Sequence, residues 1–121
     1  MSSFFKTKNG AVLEAFGDCK DDLQTQCTPL SAFDSSLEGK EKHVPVLTMN
    51  GNTLLVAVGS TAHPMLPGHF IEWIYVKTDR GAYRKNLRAG EEPKAFFTLE
   101  EGEKVVEAYS YCNLHGLWKA D

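Results

Sequence analysis

The chain has 121 residues, a length that fits one ordinary domain with a small appendage. Its formal net charge of −3 argues against nucleic acid as the main partner. No stretch approaches the length of a membrane span, and the first residues lack the basic head and apolar run of a signal peptide. We therefore expect a cytoplasmic protein without a membrane partner, in which Cys19, Cys27 and Cys112 are free thiols or metal ligands.

Residues 1–36 differ in character from the rest and are predicted to form a small β-rich domain. Phe4 and Phe5 supply apolar side chains for two or three short strands, and Asn9-Gly10 is typical of a two-residue hairpin turn. A Cys19–Cys27 disulfide would fit the spacing but not a reducing compartment. Residues 35–42 are interpreted as a polar linker with a hinge at Gly39.

From His43 onward the pattern is that of β-strands separated by turns. Strands are predicted at 44–49, 53–58, 70–78, 82–87, 95–99 and 104–112. On strand 70–78 we expect Ile71, Trp73 and Tyr75 to share one face, and on strand 104–112 we expect Val106, Ala108, Ser110 and Cys112 to do so. No amphipathic helix or internal repeat is apparent. The prediction for 37–121 is an all-β, immunoglobulin-like antiparallel β-sandwich.

All four histidines of the chain lie at predicted loops or strand ends. They are His43, His63, His69 and His115, and Cys112 precedes His115 in a Cys-x-x-His spacing that a tight turn can aim at one ion. Imidazole and thiolate together suit iron, copper, zinc or nickel. A lone histidine is nevertheless more often a surface or core residue than a ligand. Spacing alone therefore leaves a metal site and a set of ordinary loop histidines equally open, and it does not choose the metal.

At these residues the chain resembles the superoxide reductases of the desulfoferrodoxin and neelaredoxin family. Four segments carry the resemblance, in family order over residues 40–119: Glu41-Lys42-His43-Val44-Pro45, His63-Pro64-Met65, His69-Phe70-Ile71-Glu72-Trp73-Ile74, and Cys112-Asn113-Leu114-His115-Gly116-Leu117-Trp118. The resemblance implies one-electron reduction of superoxide to hydrogen peroxide, without release of dioxygen.

The same resemblance implies a role for each site residue. The four histidines would be equatorial ligands of one iron, and Cys112 would be its axial thiolate, opposite an open position. Glu41 would occupy that position in the oxidised resting state, and Lys42 would attract superoxide and help to deliver protons. The reducing electron would come from rubredoxin or a similar small carrier, and a homodimer is expected.

The N-terminal segment departs from the family pattern. Many relatives carry a desulforedoxin-like domain with four cysteines around a second iron. Here Lys6 and Asn9 stand at the first two cysteine positions, and only Cys27 remains of the second pair. The resemblance therefore implies that residues 1–36 are a vestigial domain without metal, and that the chain holds one iron.

Three other functions remain open at this stage. The same iron could dismutate superoxide, or the protein could be a non-catalytic iron electron carrier. A structural zinc protein is the third alternative, although five mixed ligands are poorly suited to closed tetrahedral zinc.

Overall fold

The computed structural model describes residues 3–17, 23 and 25–121, so Cys19 lies outside the described residues. The chain divides into two compact units, Met1–Ser31 and Ala32–Asp121. Within the described part of the chain, no helix has the length and apolar character needed to cross a membrane.

The first unit contains a three-stranded antiparallel sheet. Its strands are β1 (Ser3–Lys6), β2 (Val12–Ala15) and β3 (Thr28–Leu30), with β1 in the centre. The predicted hairpin at Asn9-Gly10 is confirmed, but its loop is longer than two residues, because the backbone N–H of Thr7 donates to the carbonyl of Ala11 across it. Gly10 has φ 90°, a left-handed conformation that glycine adopts without a steric penalty.

The second unit is built from two antiparallel sheets, which confirms the predicted sandwich class. Its strands are β4 (Pro45–Asn50), β5 (Thr53–Val58), β6 (Ile71–Thr78), β7 (Ala82–Asn86), β8 (Lys94–Thr98), β9 (Val105–Cys112) and β10 (Gly116–Lys119). The four-stranded sheet has the order β10-β9-β6-β7, and the three-stranded sheet has the order β4-β5-β8.

Side chains from both sheets form one apolar core. On β5 the residues Leu54, Val56 and Val58 are at most 2% exposed and alternate with more exposed neighbours, as a half-buried strand requires. They pack in a cluster with residues of the other elements: Ile71, Ile74, Val76, Leu87, Ala95, Phe97, Leu99, Ala108 and Cys112. Cys112 thus lies at the point where the core meets the end of β9.

Two β-bulges correct the predicted strand faces. Ile71 pairs with Cys112 and Trp73 with Tyr111, so Glu72 is an extra residue and Ile71 faces the core, not the side of Trp73. A second register shift, between Lys77 and Thr78, lies opposite Val106. Val106 was predicted to share a face with Ala108 and Cys112, which lie in the core, but it is 59% exposed.

Two short elements were not expected. Residues 40–42 belong to the predicted linker and His43 to the predicted start of the strand region, but together they form the helix α1 (Lys40–His43). Strand β10 follows the strand that was predicted to be the last, and it pairs antiparallel with β9 from Gly116 opposite Cys112 to Lys119 opposite Tyr109. Both elements matter for the site, because α1 ends in His43 and β10 closes the turn that holds His115.

Candidate metal centre

The structure brings all five predicted ligand side chains together. One ligand atom from each of His43, His63, His69, Cys112 and His115 lies within 4.8 Å of every other. His43, His63 and Cys112 are buried, whereas His115 is exposed. The cluster therefore has an inner side against the core and an outer side open to solvent.

The four imidazoles form a closed ring in the order 43, 63, 69, 115. Successive ring centroids are 4.7, 4.7, 5.0 and 4.9 Å apart, and successive ring planes are inclined by 71°, 79°, 75° and 87°. Each imidazole thus meets its two neighbours edge to face. This arrangement fits four nitrogen ligands in a tetragonal set better than in a tetrahedral set.

His43 is held at the end of α1 by contacts to both sides of its ring. Its Nδ1 lies 2.8 Å from the carbonyl oxygen of Gly39, which leaves Nε2 facing the cluster. The indole of Trp118 stacks on the imidazole with centroids 4.6 Å apart and planes 19° apart. The carbonyl of His43 also accepts a 2.7 Å hydrogen bond from the buried hydroxyl of Ser110.

The segment that follows β5 is hydrogen-bonded to α1. The backbone N–H of Thr61 donates to the carbonyl of Glu41 at 2.8 Å, and the hydroxyl of Ser60 lies 3.3 Å from the same oxygen. A Cβ at Gly59 would lie 2.6 Å from that carbonyl oxygen and 3.0 Å from the carbonyl oxygen of Val44. Gly59 therefore allows a close backbone approach that a larger residue would prevent.

His63 and His69 lie on one loop, as their spacing predicts. His63 has Nδ1 2.7 Å from the carbonyl oxygen of Pro64, and its backbone N–H donates to the carbonyl of Val58. His69 forms a two-way backbone bridge with Leu66. The loop therefore carries its own hydrogen bonds in addition to the stiffness given by its prolines.

Cys112 and His115 are joined by the turn between β9 and β10. The Sγ of Cys112 lies 3.7 Å from Nδ1 of His115, and Gly116 has φ 82°, which a tight turn requires at this point. The indole Nε1–H of Trp118 donates to the carbonyl of His115 at 3.1 Å. The Cys-x-x-His spacing thus brings both side chains into the same cluster.

Asn113 ties this turn to the His69 loop, and sequence reasoning gave it no role. Its Oδ1 accepts from the backbone N–H of Phe70 at 2.9 Å, and its Nδ2 donates to the carbonyl of Gly68 at 3.0 Å. The two partners flank His69 in the sequence. The only signal in the sequence was the position of Asn113 inside the Cys-x-x-His motif, because its partners lie more than 40 residues away.

The environment keeps the buried imidazoles neutral. Burial lowers the pKa of His63 to about 4, and only part of that effect is offset by the Pro64 carbonyl. Burial also lowers the pKa of His43 below its ordinary value, against the opposing effect of the Gly39 carbonyl. Neutral imidazole is the form that binds a metal ion.

Orphaned nitrogen atoms show that the donor set fits a metal ion. Among the described residues, neither Nε2 of His63 nor Nε2 of His69, both of which are buried, has a hydrogen-bond partner. Nε2 of His43 faces Nδ1 of His115 at 3.1 Å. Buried polar atoms normally have partners, so a cation shared by these neighbouring nitrogen atoms would account for them.

Glu41 and Lys42 lie beside the cluster but do not enter it. Both are exposed residues of α1, and they immediately precede His43. The structure therefore unites the five predicted ligands and leaves the predicted pair on the surface next to them.

Comparison with known proteins adds a family and a set of similar structures. The family model for desulfoferrodoxin matches residues 35–121. A desulfoferrodoxin homolog from Archaeoglobus fulgidus is 54% identical over 83 residues, which are 69% of this chain and 65% of that protein. The chain thus spans just under two thirds of that relative's length. A superoxide reductase from Pyrococcus horikoshii is 34% identical over 96 residues, or 65% of this chain and 84% of that protein.

Two solved structures share the fold at similar identity. The crystal structure of the superoxide reductase from Treponema pallidum covers 100% of this chain and 98% of its own chain, with a TM-score of 0.79 and 32% identity. A superoxide reductase from Giardia intestinalis covers 66% of this chain and 95% of its own, with a TM-score of 0.56 and 35% identity.

Proposed function

Because this chain belongs to the desulfoferrodoxin family, we propose that it is a superoxide reductase with one mononuclear iron. In the proposed reaction, superoxide takes up one electron and two protons and leaves as hydrogen peroxide. The observation that carries the proposal is the closed ring of four imidazoles with the thiol of Cys112 beside it, one ligand atom of each residue lying within 4.8 Å of every other. Relatives and structural neighbours named superoxide reductase support the same activity.

The geometry favours iron over structural zinc. Structural zinc takes four tetrahedral ligands and has no free position. Here four imidazoles follow one another around a ring, and the thiol of Cys112 is a fifth donor that is 0% exposed. Iron bound there would supply the one-electron step, and the thiolate would increase its electron donation, as thiolate ligands do in haem proteins.

The exposed residues of α1, Glu41 and Lys42, are proposed to act at the solvent-facing side of the cluster, where the substrate would arrive. Lys42 places a positive charge directly before His43, where it would attract an anion to the cluster. Glu41 is proposed to close the open position of the oxidised resting site. Neutral histidines add no negative charge beyond that of the one thiolate, so the site with its metal ion stays positive, which also favours an anionic substrate.

A single iron per chain is proposed because the described residues of the first unit offer too few ligands for another. Its cleft, of about 390 Å³, is lined by Thr7, Lys8, Asn9, Thr25, Gln26 and Cys27. Cys27, a free thiol, is the one side chain among them that binds transition metals strongly. Residues 1–36 are thus proposed to be a vestigial desulforedoxin-like domain, and iron analysis near two per chain would contradict this.

The proposed activity needs an external electron donor, which we propose to be rubredoxin or a similar small carrier. We also propose a homodimer that acts in the cytoplasm. Sedimentation of the purified protein tests the dimer, and a stopped-flow assay of reduction of the ferric protein by rubredoxin tests the donor.

The central experiment measures metal, product and ligand binding on the same preparation. We expect about one iron per chain, a visible thiolate-to-iron absorption after oxidation, and hydrogen peroxide without dioxygen when superoxide is supplied with a reductant. Evolution of dioxygen would indicate dismutation instead. A site that fails to bind azide or cyanide would indicate a closed electron carrier, and bound zinc without the visible band would indicate a structural zinc site.

Lys42→Ala tests the electrostatic part of the proposal. We expect a slower second-order reaction with superoxide and a weaker dependence of the rate on ionic strength, because charges within the ~10 Å Debye length at 0.1 M steer the anion. Lys104→Ala is the matched control, since Lys104 directly precedes β9. The eight residues of β9 place Lys104 roughly 26 Å from Cys112, at the other end of the strand. Equal pulse-radiolysis rates for the two variants at every salt concentration would remove Lys42 from the mechanism.

A further inference from the structure

Trp118 is in contact with two of the proposed ligands at once, in two chemically different ways. Its indole ring lies nearly parallel to the imidazole of His43, and its Nε1–H donates to the carbonyl of His115. These two histidines are 72 positions apart in the sequence and adjacent in the ring of imidazoles. A single side chain therefore connects the α1 segment with the turn between β9 and β10.

The surroundings of Trp118 hold its ring in one orientation. It is 5% exposed, and its backbone pairs with Ser110 in the centre of the β9–β10 ladder. The ring of Phe33 packs against it with centroids 5.2 Å apart. A Cβ at Gly39 would lie 3.8 Å from its Cη2 and 3.4 Å from Nδ1 of His43, so the start of α1 closes over the stacked pair.

We propose that Trp118 is a positioning residue that fixes the orientation of His43 and His115 toward the metal. The Gly39 carbonyl restrains the His43 ring at one atom only, and the indole face prevents the ring from rotating about that contact. The Nε1–H bond restrains the exposed turn that carries His115, which otherwise lies against solvent. Partners that orient ligands in this way commonly affect metal affinity by ten- to a hundredfold.

The two contacts can be removed one at a time. Trp118→Phe keeps an aromatic ring against His43 and removes the N–H donor, whereas Trp118→Leu removes both contacts. The chain has only two tryptophans, and the other, Trp73, stacks on Tyr111 with centroids 5.2 Å apart and planes 7° apart. Trp73→Phe and Trp73→Leu are thus matched controls for the loss of a stacked indole elsewhere in the same sheet.

The test is a Co²⁺ titration of the full-length, metal-free protein, followed by the thiolate-to-cobalt absorption. We expect Kd to rise about tenfold in Trp118→Phe and about a hundredfold in Trp118→Leu, while both Trp73 variants stay within about twofold of the unmodified protein. The band should also shift in the Trp118 variants, a change that general destabilisation would not cause. Thermal unfolding of each metal-free variant checks the fold.

The inference rests on the proposed metal centre, and the outcomes separate the two. If the unmodified protein fails to bind Co²⁺, the proposed centre itself is wrong. If it binds Co²⁺ and Trp118→Phe has the affinity and band position of Trp73→Phe, the Nε1–H contact does not position His115, and the proposal that Trp118 orients both histidines is wrong. Because Trp118→Phe retains a ring in the buried position, this comparison decides the matter even if Trp118→Leu does not fold.

Discussion

Gly59→Ala tests whether the backbone contact beneath α1 sets the position of the proposed site. The added Cβ would lie 2.6 Å from the carbonyl oxygen of Glu41 and 3.0 Å from that of Val44. Both neighbours are backbone atoms, which cannot rotate away as the end of a side chain can. Restoring an ordinary contact of about 3.4 Å would require α1 and the segment after β5 to separate by about 0.8 Å.

The expected cost follows from these contacts. Overpacking of this kind costs about 1–3 kcal/mol, and weakening the hydrogen bonds that the Glu41 carbonyl accepts from Thr61 and Ser60 adds about 1 kcal/mol. The lower entropy of the unfolded alanine chain returns about 0.4–1 kcal/mol. The net destabilisation is therefore about 1–3.5 kcal/mol, or roughly 5–15 °C in Tm for a domain of this size.

Thermal unfolding of the metal-free protein, followed by circular dichroism, measures this cost. Gly81→Ala is the matched control, because among the described residues a Cβ there has no neighbour within 4 Å, and we expect it to leave stability unchanged or raise it by at most about 1 kcal/mol. We also expect weaker Co²⁺ binding in Gly59→Ala, because α1 carries His43. Equal Tm values for the two alanine variants would refute the close-contact argument.

Three further predictions concern the thiol, the buried histidines and the end of the sandwich opposite the site. Cys112→Ser should abolish the visible thiolate-to-iron band while Cys27→Ser leaves it intact, and a band retained in Cys112→Ser would assign the thiolate elsewhere. Because the pKa of His63 falls from 6.5 to about 4 on folding, the unfolded chain binds the proton more readily between these values. Urea unfolding of the metal-free protein should therefore show stability decreasing as pH falls from 6.5 toward 4, and a flat profile would contradict the buried neutral imidazole. Glu103→Gln should cost about 1–3 kcal/mol, since the carboxylate is 7% exposed and accepts hydrogen bonds from Thr78 and Tyr83. Its Co²⁺ affinity should not change, and a loss of affinity would show that the two ends of the sandwich are coupled.

The strands were largely predictable because apolar residues occupy every second position of a half-buried strand. Leu54, Val56 and Val58 show this pattern in the sequence and are buried in the structure. The same rule failed at Glu72 and Val106, because a β-bulge inserts a residue without any change in composition. Beyond a bulge, the alternation continues on the opposite face, so the predicted face is wrong only on one side of it.

The short elements were not predictable for a different reason. A helix of four residues, Lys40–His43, is too short to show a helical period, and its formation depends on contacts from the segment after β5. Strand β10, Gly116–Lys119, is equally short and is defined by pairing with β9. The five clustered side chains were predicted through family motifs, whereas the hydrogen bonds of Asn113 and Trp118 depend on the fold and carry no local signal.

Each segment that carries a proposed ligand histidine is linked to the next one, so that the four segments are joined in a continuous ring around the proposed centre. The Glu41 carbonyl links the segment of His43 to that of His63, and the loop 63–69 links His63 to His69 directly. Asn113 links the His69 loop to the turn of His115, and Trp118 links that turn back to His43. Each of these four links joins protein atoms directly. We therefore predict that the metal-free chain keeps its fold and that binding of a metal ion does not have to assemble the site.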